Sequence, residues 1–270
     1  MNQPPGLTIR VNYLKSDPDK VEKVLKQAKV NYKKGEFLEE YFTIVEGSLE
    51  PVRKILDDGK IYIQDQSAGM PVRLLNPRPG MNVLDLAAAP GGKTTYAASR
   101  MRGKGNITAV DKSRKRLKLL VENCERLGIK NVSPVSCDAN DFAATKKFER
   151  VMVDPPCTGW GNAGKHADLR WVKKPEDITQ MKRIQKRMLD HAASLVSPGG
   201  ILVYSTCSII REENDQVVEE FLLSHKEFQL ESAKKFWDKR VVSERGFLKT
   251  YPNIPGLDGA FAARLKLRPN

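Results

Sequence analysis

Hydrophobic and polar residues alternate with two different periods along this chain. From residue 82 onward, short apolar runs typical of buried strands alternate with longer segments of helical spacing. Strands are predicted at 82–86, 106–111, 132–137, 149–154 and 200–205, and helices at 93–101, 113–127, 176–196 and 212–224. This alternation predicts an α/β fold with a doubly wound, mostly parallel sheet. Ala260–Leu267 adds a final strand that we expect to run antiparallel to its neighbour.

The first 76 residues follow a different pattern, in which short strands and helices are mixed. The predicted elements are a strand that alternates like an edge strand over Leu7–Asn12, a helix from Ser16 or Asp17 to about Lys29, a strand over 41–45, a helix over 49–56 and a strand around Ile61 and Ile63. Residues 1–76 are therefore predicted to form a small, basic α+β domain. Pro77–Gly80 marks the expected boundary to a second domain over residues 77–270.

The net charge of the chain indicates what kind of partner it could bind. Lys and Arg number 46 against 33 Asp and Glu, which gives a formal net charge of +13. A basic chain favours a polyanionic partner, most simply nucleic acid, although a basic protein without such a partner has the same composition. In the first domain Lys26, Lys29, Lys33 and Lys34 could follow a phosphate backbone or form an ordinary solvated face.

The four cysteines, Cys124, Cys137, Cys157 and Cys207, include no C-x-x-C pair, so we expect no metal site. Cys124 and Cys137 are interpreted as small buried hydrophobic residues. No signal peptide and no apolar run of membrane-spanning length is evident. We therefore expect a cytoplasmic monomer with reduced thiols and no membrane attachment.

A small-residue turn joins the first strand of the predicted sheet to its first helix, and it consists of Ala87, Ala88, Ala89, Pro90, Gly91, Gly92 and Lys93. Such a turn lets a ligand approach the backbone, and strand ends of this kind bind ligands in open α/β sheets. GGKT resembles the end of a phosphate loop, but the first Gly of GxxxxGK[ST] would fall at Ala87, and Pro90 lacks an N–H. An NTP-binding protein is therefore an alternative, and a cofactor without pyrophosphate fits better.

Carboxylates follow the next two strands. Asp111 ends the second strand, where a carboxylate accepts hydrogen bonds from ribose hydroxyls, and Arg116 follows in the first turns of the next helix. Asp138 ends the third strand, where a carboxylate could receive an amino group such as that of adenine. Together with the turn, these residues predict an adenosine-containing cofactor.

Two thiols follow the fourth and fifth strands. The fourth strand ends in Asp154-Pro155-Pro156-Cys157, and Cys207 follows the fifth. A D-P-P motif also occurs in amino-group methyltransferases, but an aromatic residue follows it there, whereas Cys157 follows it here. Because both strands end at one edge of the sheet, both thiols should approach the same cleft, where one of them could act as a nucleophile. The sequence leaves open which one.

In combination, these motifs resemble the RNA cytosine-5 methyltransferases of the Sun/Nol1/Nop2 family. The matching segments are AAAPGGKTT at 87–95, Asp111 with Arg116, Asp138, DPPCTG at 154–159, HADLRW at 166–171, STCS at 205–208, EEN at 212–214 and DGAFAARLKL at 258–267. The resemblance covers nearly everything from Leu7 to Leu267. Ala87 stands where many relatives have Cys, and Ala260 stands where an aromatic residue is usual. The helical N-terminal RNA-binding domain of some bacterial relatives has no counterpart here.

The resemblance implies a Rossmann-like methyltransferase sheet that uses S-adenosylmethionine to methylate carbon 5 of a cytosine in RNA, with rRNA favoured and tRNA possible. It implies Cys207 as the nucleophile and Cys157 as an aid to product release. Asp154 is expected beside the cofactor and at ring nitrogen 3 of the cytosine. Residues 1–76 would help to hold the RNA. The alternative from a different class is a non-catalytic RNA-binding module that keeps the fold.

Overall fold

The computed structural model describes residues 6–166 and 168–269, which form two sheets. The smaller sheet belongs to an N-terminal unit with β1 (Leu7–Val11), α1 (Pro18–Gln27), β2 (Asn31–Lys34), β3 (Tyr41–Glu46), α2 (Glu50–Asp57) and β4 (Ile61–Ile63). Its strands are all antiparallel, in the order β2-β3-β1-β4. Asp17 caps α1 by accepting the backbone N–H of Lys20.

The prediction that the first strand lies at an edge is wrong, because β1 pairs with β3 on one side and β4 on the other. Its polar positions are buried rather than exposed to solvent. Ile9 and Val11 pack in the core of the small unit, while the fully buried side chain of Arg10 reaches the helix over Gly92–Arg100, where it donates to Thr95. The alternation of apolar and polar residues along β1 therefore separates two faces of the strand that are both buried.

A further helix, α3 (Gln66–Leu75), was not predicted from the sequence. Gly69 and Pro71 lower its helix propensity, and its residues are buried on nearly all sides, including the polar residues Gln66 and Ser67. The glycine is required by packing, since a Cβ at Gly69 would lie 2.0 Å from the hydroxyl of Tyr41. The helix packs against the helix over Gly92–Arg100 and against the large sheet, which are both described next.

The large sheet confirms the predicted α/β fold with a mostly parallel, doubly wound sheet. Its elements are β5 (Asn82–Leu86), α4 (Gly92–Arg100), β6 (Asn106–Asp111), α5 (Arg114–Leu127), β7 (Val132–Ser136), β8 (Phe148–Val153), α6 (Leu169–Val172), α7 (Pro175–Ser194), β9 (Val196–Thr206), α8 (Asp215–Ser224), β10 (Phe228–Glu231), β11 (Leu248–Thr250) and β12 (Ala260–Leu267). The strand order is β10-β12-β9-β8-β5-β6-β7, with β11 beside β12. Strands β5 to β9 are parallel, and β12 is antiparallel to β9, as predicted.

The chain reverses its direction of winding at β5, which lies between β6 and β8. Ligands bind outside the carboxyl ends of strands at such a switch point. The predicted helix over 212–224 is interrupted in the structure: Arg211–Glu213 forms a 3₁₀ turn, and α8 begins only at Asp215. This interruption turns Glu213 inward, beneath the switch point.

Candidate active site

A cavity of about 380 Å³ lies at the carboxyl ends of β5, β6, β8 and β9, a volume that suits a small-molecule ligand. Its wall includes, from the predicted set, Ala87, Ala89, Pro90, Asp111, Arg116, Asp138, Asp154, Cys157 and Cys207. Ala88, Gly91, Gly92 and Lys93 belong to the same turn but lie outside the described wall. The structure therefore brings together most of the residues that the sequence singled out.

Asp111 lies at the end of β6 with its side chain only 3% exposed. One carboxylate oxygen accepts the backbone N–H of Ala89 at 3.1 Å, and the other accepts that of Ser113 at 2.9 Å. The Arg116 guanidinium lies 3.7 Å from the carboxylate and donates to the carbonyl of Ala89. Asp111 thus joins the turn after β5 to the end of β6 and presents a fixed carboxylate to the cavity.

Asp138 and Asn140 form the next part of the wall, just after β7. One oxygen of Asp138 accepts both the backbone N–H and the side-chain amide of Asn140, each at 2.9 Å. These two hydrogen bonds hold the pKa of Asp138 below its usual value. The amide oxygen of Asn140 is buried and has no partner within the described residues. It can accept a hydrogen bond from a donor in the cavity.

The turn after β5 is held by glycine geometry and by the N-terminal unit. Gly91 has φ of 103°, a left-handed conformation that glycine adopts without strain, and a Cβ there would lie 3.0 Å from Leu120. From β1, Arg10 donates to the carbonyl of Gly92 at 2.8 Å. The small N-terminal sheet therefore supports the cavity from behind.

A partly buried ion pair lies at the base of the site. Lys93 contacts Asp154 at 2.6 Å, and the second oxygen of Asp154 accepts the hydroxyl of Ser205 at 2.9 Å. Burial disfavours the Lys93 ammonium, but the charge and hydrogen bond of Asp154 leave its pKa above the usual value. Nearby, burial raises the pKa of Asp85 to about 7, although Thr94 donates to it at 2.6 Å.

The two thiols meet at the cavity wall. The Sγ atoms of Cys157 and Cys207 lie 3.1 Å apart, and both cysteines are free. The hydrogen bond from Cys157 lowers the pKa of Cys207, with the nearby Lys93 adding to this effect against burial and Asp154. The same contact and burial raise the pKa of Cys157. Cys207 is therefore the thiol more readily ionised, and ionisation is what makes a thiol nucleophilic.

A buried carboxylate, Glu213, fixes the loops that carry both thiols. It accepts the backbone N–H of Thr158 at 2.8 Å and the hydroxyls of Thr158 and Ser208. It also accepts the side-chain amide of Gln185 from α7 at 3.0 Å. Thr158 follows Cys157, and Ser208 follows Cys207. One carboxylate therefore sets the position of both loops relative to each other.

Close backbone packing holds the Cys207 loop from its other side. The N–H of Gly161 donates to the carbonyl of Cys207 at 2.9 Å, and Gly259 donates to the carbonyl of Gly161 at 2.9 Å. A Cβ at Gly161 would lie 2.0 Å from the carbonyl oxygen of Gly259 and 2.6 Å from that of Cys207. Only glycine fits there, so the sulfur of Cys207 is held on a backbone with little freedom to move.

Other features lie away from this cavity. A larger cleft of about 1080 Å³ is found near the start of β5, at the opposite end of the sheet, and includes Arg78, Arg100 and Arg102. No group of three His, Cys, Asp or Glu side chains in residues 6–166 and 168–269 is arranged to hold a metal ion. None of the described helices is long and apolar enough to cross a bilayer.

Sequence reasoning missed the roles of Glu213, Asn140 and Ser205. Glu213 lies in the EEN segment at 212–214, which was noted only as part of a resemblance. The sequence shows two adjacent glutamates, and nothing in their spacing shows that one is exposed and the other buried. The break between the 3₁₀ turn and α8 causes this difference, and it depends on tertiary contacts with Thr158 and Ser208.

Comparison with known proteins connects this site to a family. Residues 72–266 match the model described as 16S rRNA methyltransferase RsmB/F. The probable ribosomal RNA small subunit methyltransferase B of Bacillus subtilis is 34% identical over 97% of the chain, and the chain spans 60% of that protein. The ribosomal RNA small subunit methyltransferase F of Serratia proteamaculans is 35% identical over 77% of the chain, which spans 45% of that protein.

Solved structures show the same fold. The crystal structure of PH0851 superimposes with a TM-score of 0.91 at 35% identity, covering 98% of this chain and 60% of that one. NSun6 from Pyrococcus horikoshii gives a TM-score of 0.87 over 99% of this chain and 92% of that one, at 24% identity. The chain spans less than two thirds of the curated relatives named above. Because the family model matches residues 72–266, which is most of the sequence, the chain belongs to the 16S rRNA methyltransferase RsmB/F family.

Proposed function

We propose that this protein transfers a methyl group from S-adenosylmethionine to carbon 5 of a cytosine in RNA, through a covalent cysteine–cytosine intermediate. The observation that carries the proposal is the pair of thiols, 3.1 Å apart, in a cavity whose other wall presents Asp111 and Asp138. A protein that only binds the cofactor would not need two thiols beside one ligand cavity, one with a lowered pKa (Cys207) and one with a raised pKa (Cys157). This arrangement supports a catalytic role over a non-catalytic RNA-binding module.

The cavity fits an adenosine-containing cofactor. The carboxylate of Asp111, fixed by two backbone N–H groups, would accept the ribose hydroxyls. The adenine amino group would be received by Asp138 together with the unpartnered amide oxygen of Asn140. Ala87 to Lys93, Arg116 and Asp154 would surround the methionine portion. When bound, this cofactor supplies an electrophilic methyl group.

The protein's own groups would activate the cytosine, whose carbon 5 is a weak nucleophile. The Cys207 thiolate would form a bond to carbon 6, and the electron pair displaced toward carbon 5 would make that carbon nucleophilic enough to accept the methyl group as the methyl–sulfur bond breaks and a neutral thioether leaves. Asp154, entering in its protonated form, would assist this addition by donating its proton to ring nitrogen 3, and the carboxylate left behind would pair with Lys93. A base then removes the proton from carbon 5, and the electron pair released expels the Cys207 thiolate. Cys157 assists this last step. The target base must leave its stack to reach the thiol.

The names of the relatives favour ribosomal RNA of the small subunit as the substrate, with tRNA as the alternative. A cytoplasmic location would suit such a substrate. To test the function, purified protein would be given S-adenosylmethionine with a labelled methyl group and small-subunit rRNA transcribed in vitro. The digested RNA should contain labelled 5-methylcytidine. Label in another nucleoside, or no label in RNA, would contradict the proposal.

We expect Asp111→Ala to weaken S-adenosylmethionine binding about ten- to hundred-fold, because it removes charge-assisted hydrogen bonds worth about 1.5–3 kcal/mol. Titration of the cofactor into the folded variant, followed by calorimetry, measures the change. Asp141→Ala is the matched control, since Asp141 is exposed and close in sequence to the cavity. An unchanged dissociation constant in Asp111→Ala would show that this carboxylate does not bind the ribose.

We also propose that residues 1–76 bind RNA. The structure shows which ion pairs of the lysines a test of this proposal can change. Glu22 pairs with Lys26 at 2.9 Å and with Lys34 at 2.8 Å. If these lysines follow phosphates, RNA affinity should fall with salt by a log–log slope of about −0.7 per contacted phosphate. Charge reversal of Lys33 and Lys34 should flatten the slope, and Glu22→Gln should steepen it.

The matched control for this salt dependence is Lys146→Glu, an exposed position before β8, at the end of the sheet opposite the cavity. It should leave the slope unchanged. Equal slopes in the parent protein, the Lys33 and Lys34 variants and Glu22→Gln would mean that these lysines are a solvated face. The small sheet would then serve only to support the cavity through Arg10.

A further inference from the structure

The segment that joins Cys157 to α7 carries a tryptophan on the surface. Trp171, in α6, is 89% exposed, which is the largest value among the big hydrophobic side chains of residues 6–166 and 168–269. Its neighbour Val172 is 62% exposed. Single exposed hydrophobic residues are common and need no explanation. Trp171 differs because of the segment on which it lies.

That segment is anchored to the catalytic loops. Near its start, Gly161 is hydrogen-bonded to the backbone of Cys207. Lys165 then forms ion pairs with Asp65, at 3.2 Å, and with Asp258. At its end, the N–H of Lys174 donates to the side chain of Asp177 at 2.9 Å and caps α7. The tryptophan is thus displayed on a fixed support.

The segment connects two parts of the cavity wall. The side chain of Leu169 in α6 lies 3.8 Å from the point where a side chain at Gly159 would begin, so α6 packs on the loop that follows Cys157. Beyond α6, helix α7 contributes Ile184 and Met188 to the cavity wall. Trp171 is therefore an exposed aromatic residue on the segment between Cys157 and the part of α7 that lines the cavity.

Nucleic acid suits this surface better than a protein partner. Lys173 and Lys174 follow the tryptophan directly, and Lys174 is exposed. The neighbouring Asp177 is used to cap α7. Single-stranded nucleic acid is typically held by cationic groups that contact its backbone and by aromatic side chains that stack on its bases. A base extruded for chemistry also leaves its neighbours without a stacking partner.

We propose that Trp171 is a stacking platform for an RNA base that flanks the target cytosine, with Lys173 and Lys174 contacting the adjoining phosphates. The proposal rests on the proposed function, and it adds a specific binding residue to it. Stacking is tolerant of base identity, so this contact holds and orients the strand without selecting a sequence.

The test uses a short single-stranded RNA that contains one target cytosine. Trp171→Ala should bind it about five- to hundred-fold more weakly and should raise KM for RNA by a similar factor. Trp171→Phe should stay within a few-fold of the parent, whereas Trp171→Leu should behave like Trp171→Ala. Binding of S-adenosylmethionine should be the same in all variants. Leu223→Ala is the control for an exposed hydrophobic residue elsewhere, since Leu223 is 69% exposed.

Tryptophan fluorescence gives a second, direct measurement. RNA should quench the emission of the parent protein, and this quenching should be lost in Trp171→Phe but kept in Trp160→Phe and in Trp237→Phe, the variants of the other two tryptophans. Unchanged RNA affinity in Trp171→Ala would overturn the proposal. Rescue by leucine as complete as rescue by phenylalanine would also overturn it, because it would indicate an apolar contact with the RNA that does not depend on an aromatic ring.

The two proposals fail in distinguishable ways. If the parent methylates RNA and Trp171→Ala does so with the same KM, only the stacking role is wrong. If the parent transfers no methyl group but its RNA binding depends on an aromatic residue at position 171, the stacking role stands and the proposed function is wrong.

Discussion

Cys207→Ala should reduce methyl transfer by at least about a thousand-fold and should form no covalent RNA adduct, because it removes the nucleophile that we propose adds to carbon 6. The structure favours this thiol, since the hydrogen bond from Cys157 and the nearby Lys93 lower the pKa of Cys207. Methyl transfer is measured with labelled S-adenosylmethionine, and the adduct by denaturing electrophoresis with labelled RNA.

Cys157→Ala should behave differently. The adduct should still form but break down slowly, so that a protein–RNA species accumulates and survives denaturation. Because the variant lacks the hydrogen bond that lowers the pKa of Cys207, that pKa should rise. Addition requires the thiolate, so the rate of adduct formation should reach its plateau at higher pH than in the parent protein.

Cys124→Ala is the matched control for both thiols, since Cys124 is buried on α5 and lies outside the cavity wall. It should leave adduct formation unchanged. The reverse pattern, with accumulation in Cys207→Ala and none in Cys157→Ala, would exchange the roles of the two thiols.

Glu213→Ala should destabilise the protein by about 3–5 kcal/mol, because it leaves four buried donors without their acceptor. Glu213→Gln keeps the shape of the side chain but brings an amide N–H₂ group toward donors, although the hydroxyls of Thr158 and Ser208 can rotate to accept. We expect it to cost about 1–3 kcal/mol of stability. Denaturant unfolding measures both changes.

The activity of Glu213→Gln separates positioning from simple stability. Because Glu213 sets the loops of Cys157 and Cys207, kcat should fall about ten- to hundred-fold in protein that remains fully folded, while the dissociation constant of S-adenosylmethionine changes little. Glu212→Gln is the matched control, since Glu212 is the adjacent, exposed glutamate. Parent-like kcat and stability in Glu213→Gln would show that the thiol loops hold their positions without this carboxylate.

Sequence periodicity predicted the large sheet well, because its parallel strands are continuous apolar runs separated by amphipathic helices. It failed where polar residues are buried. Helix α3 contains Gly69 and Pro71 and is buried on nearly all sides, and β1 buries its polar face against helix α4 through Arg10. In both cases the packing partner lies far away in the sequence, so the local pattern carries no information about it.

The candidate active site was likewise predicted only in part from the sequence. Strand-end positions placed Asp111, Asp138, Cys157 and Cys207 at one edge, since parallel strands end together. The contact between the two sulfur atoms, the direction of their pKa shifts and the carboxylate of Glu213 beneath them depend on loop geometry. That geometry is set by backbone contacts such as the one from Gly161 to Cys207, which the spacing of residues does not encode.

RNA in which the target cytosine is replaced by 5-fluorocytosine tests covalent catalysis most directly, because the fluorine cannot be removed as a proton is. The parent protein, incubated with this RNA and S-adenosylmethionine, should form a stable adduct. After proteolysis, mass spectrometry should find the methylated fluorocytidine on the peptide that contains Cys207. An adduct on Cys157, or no adduct on either cysteine, would contradict the account.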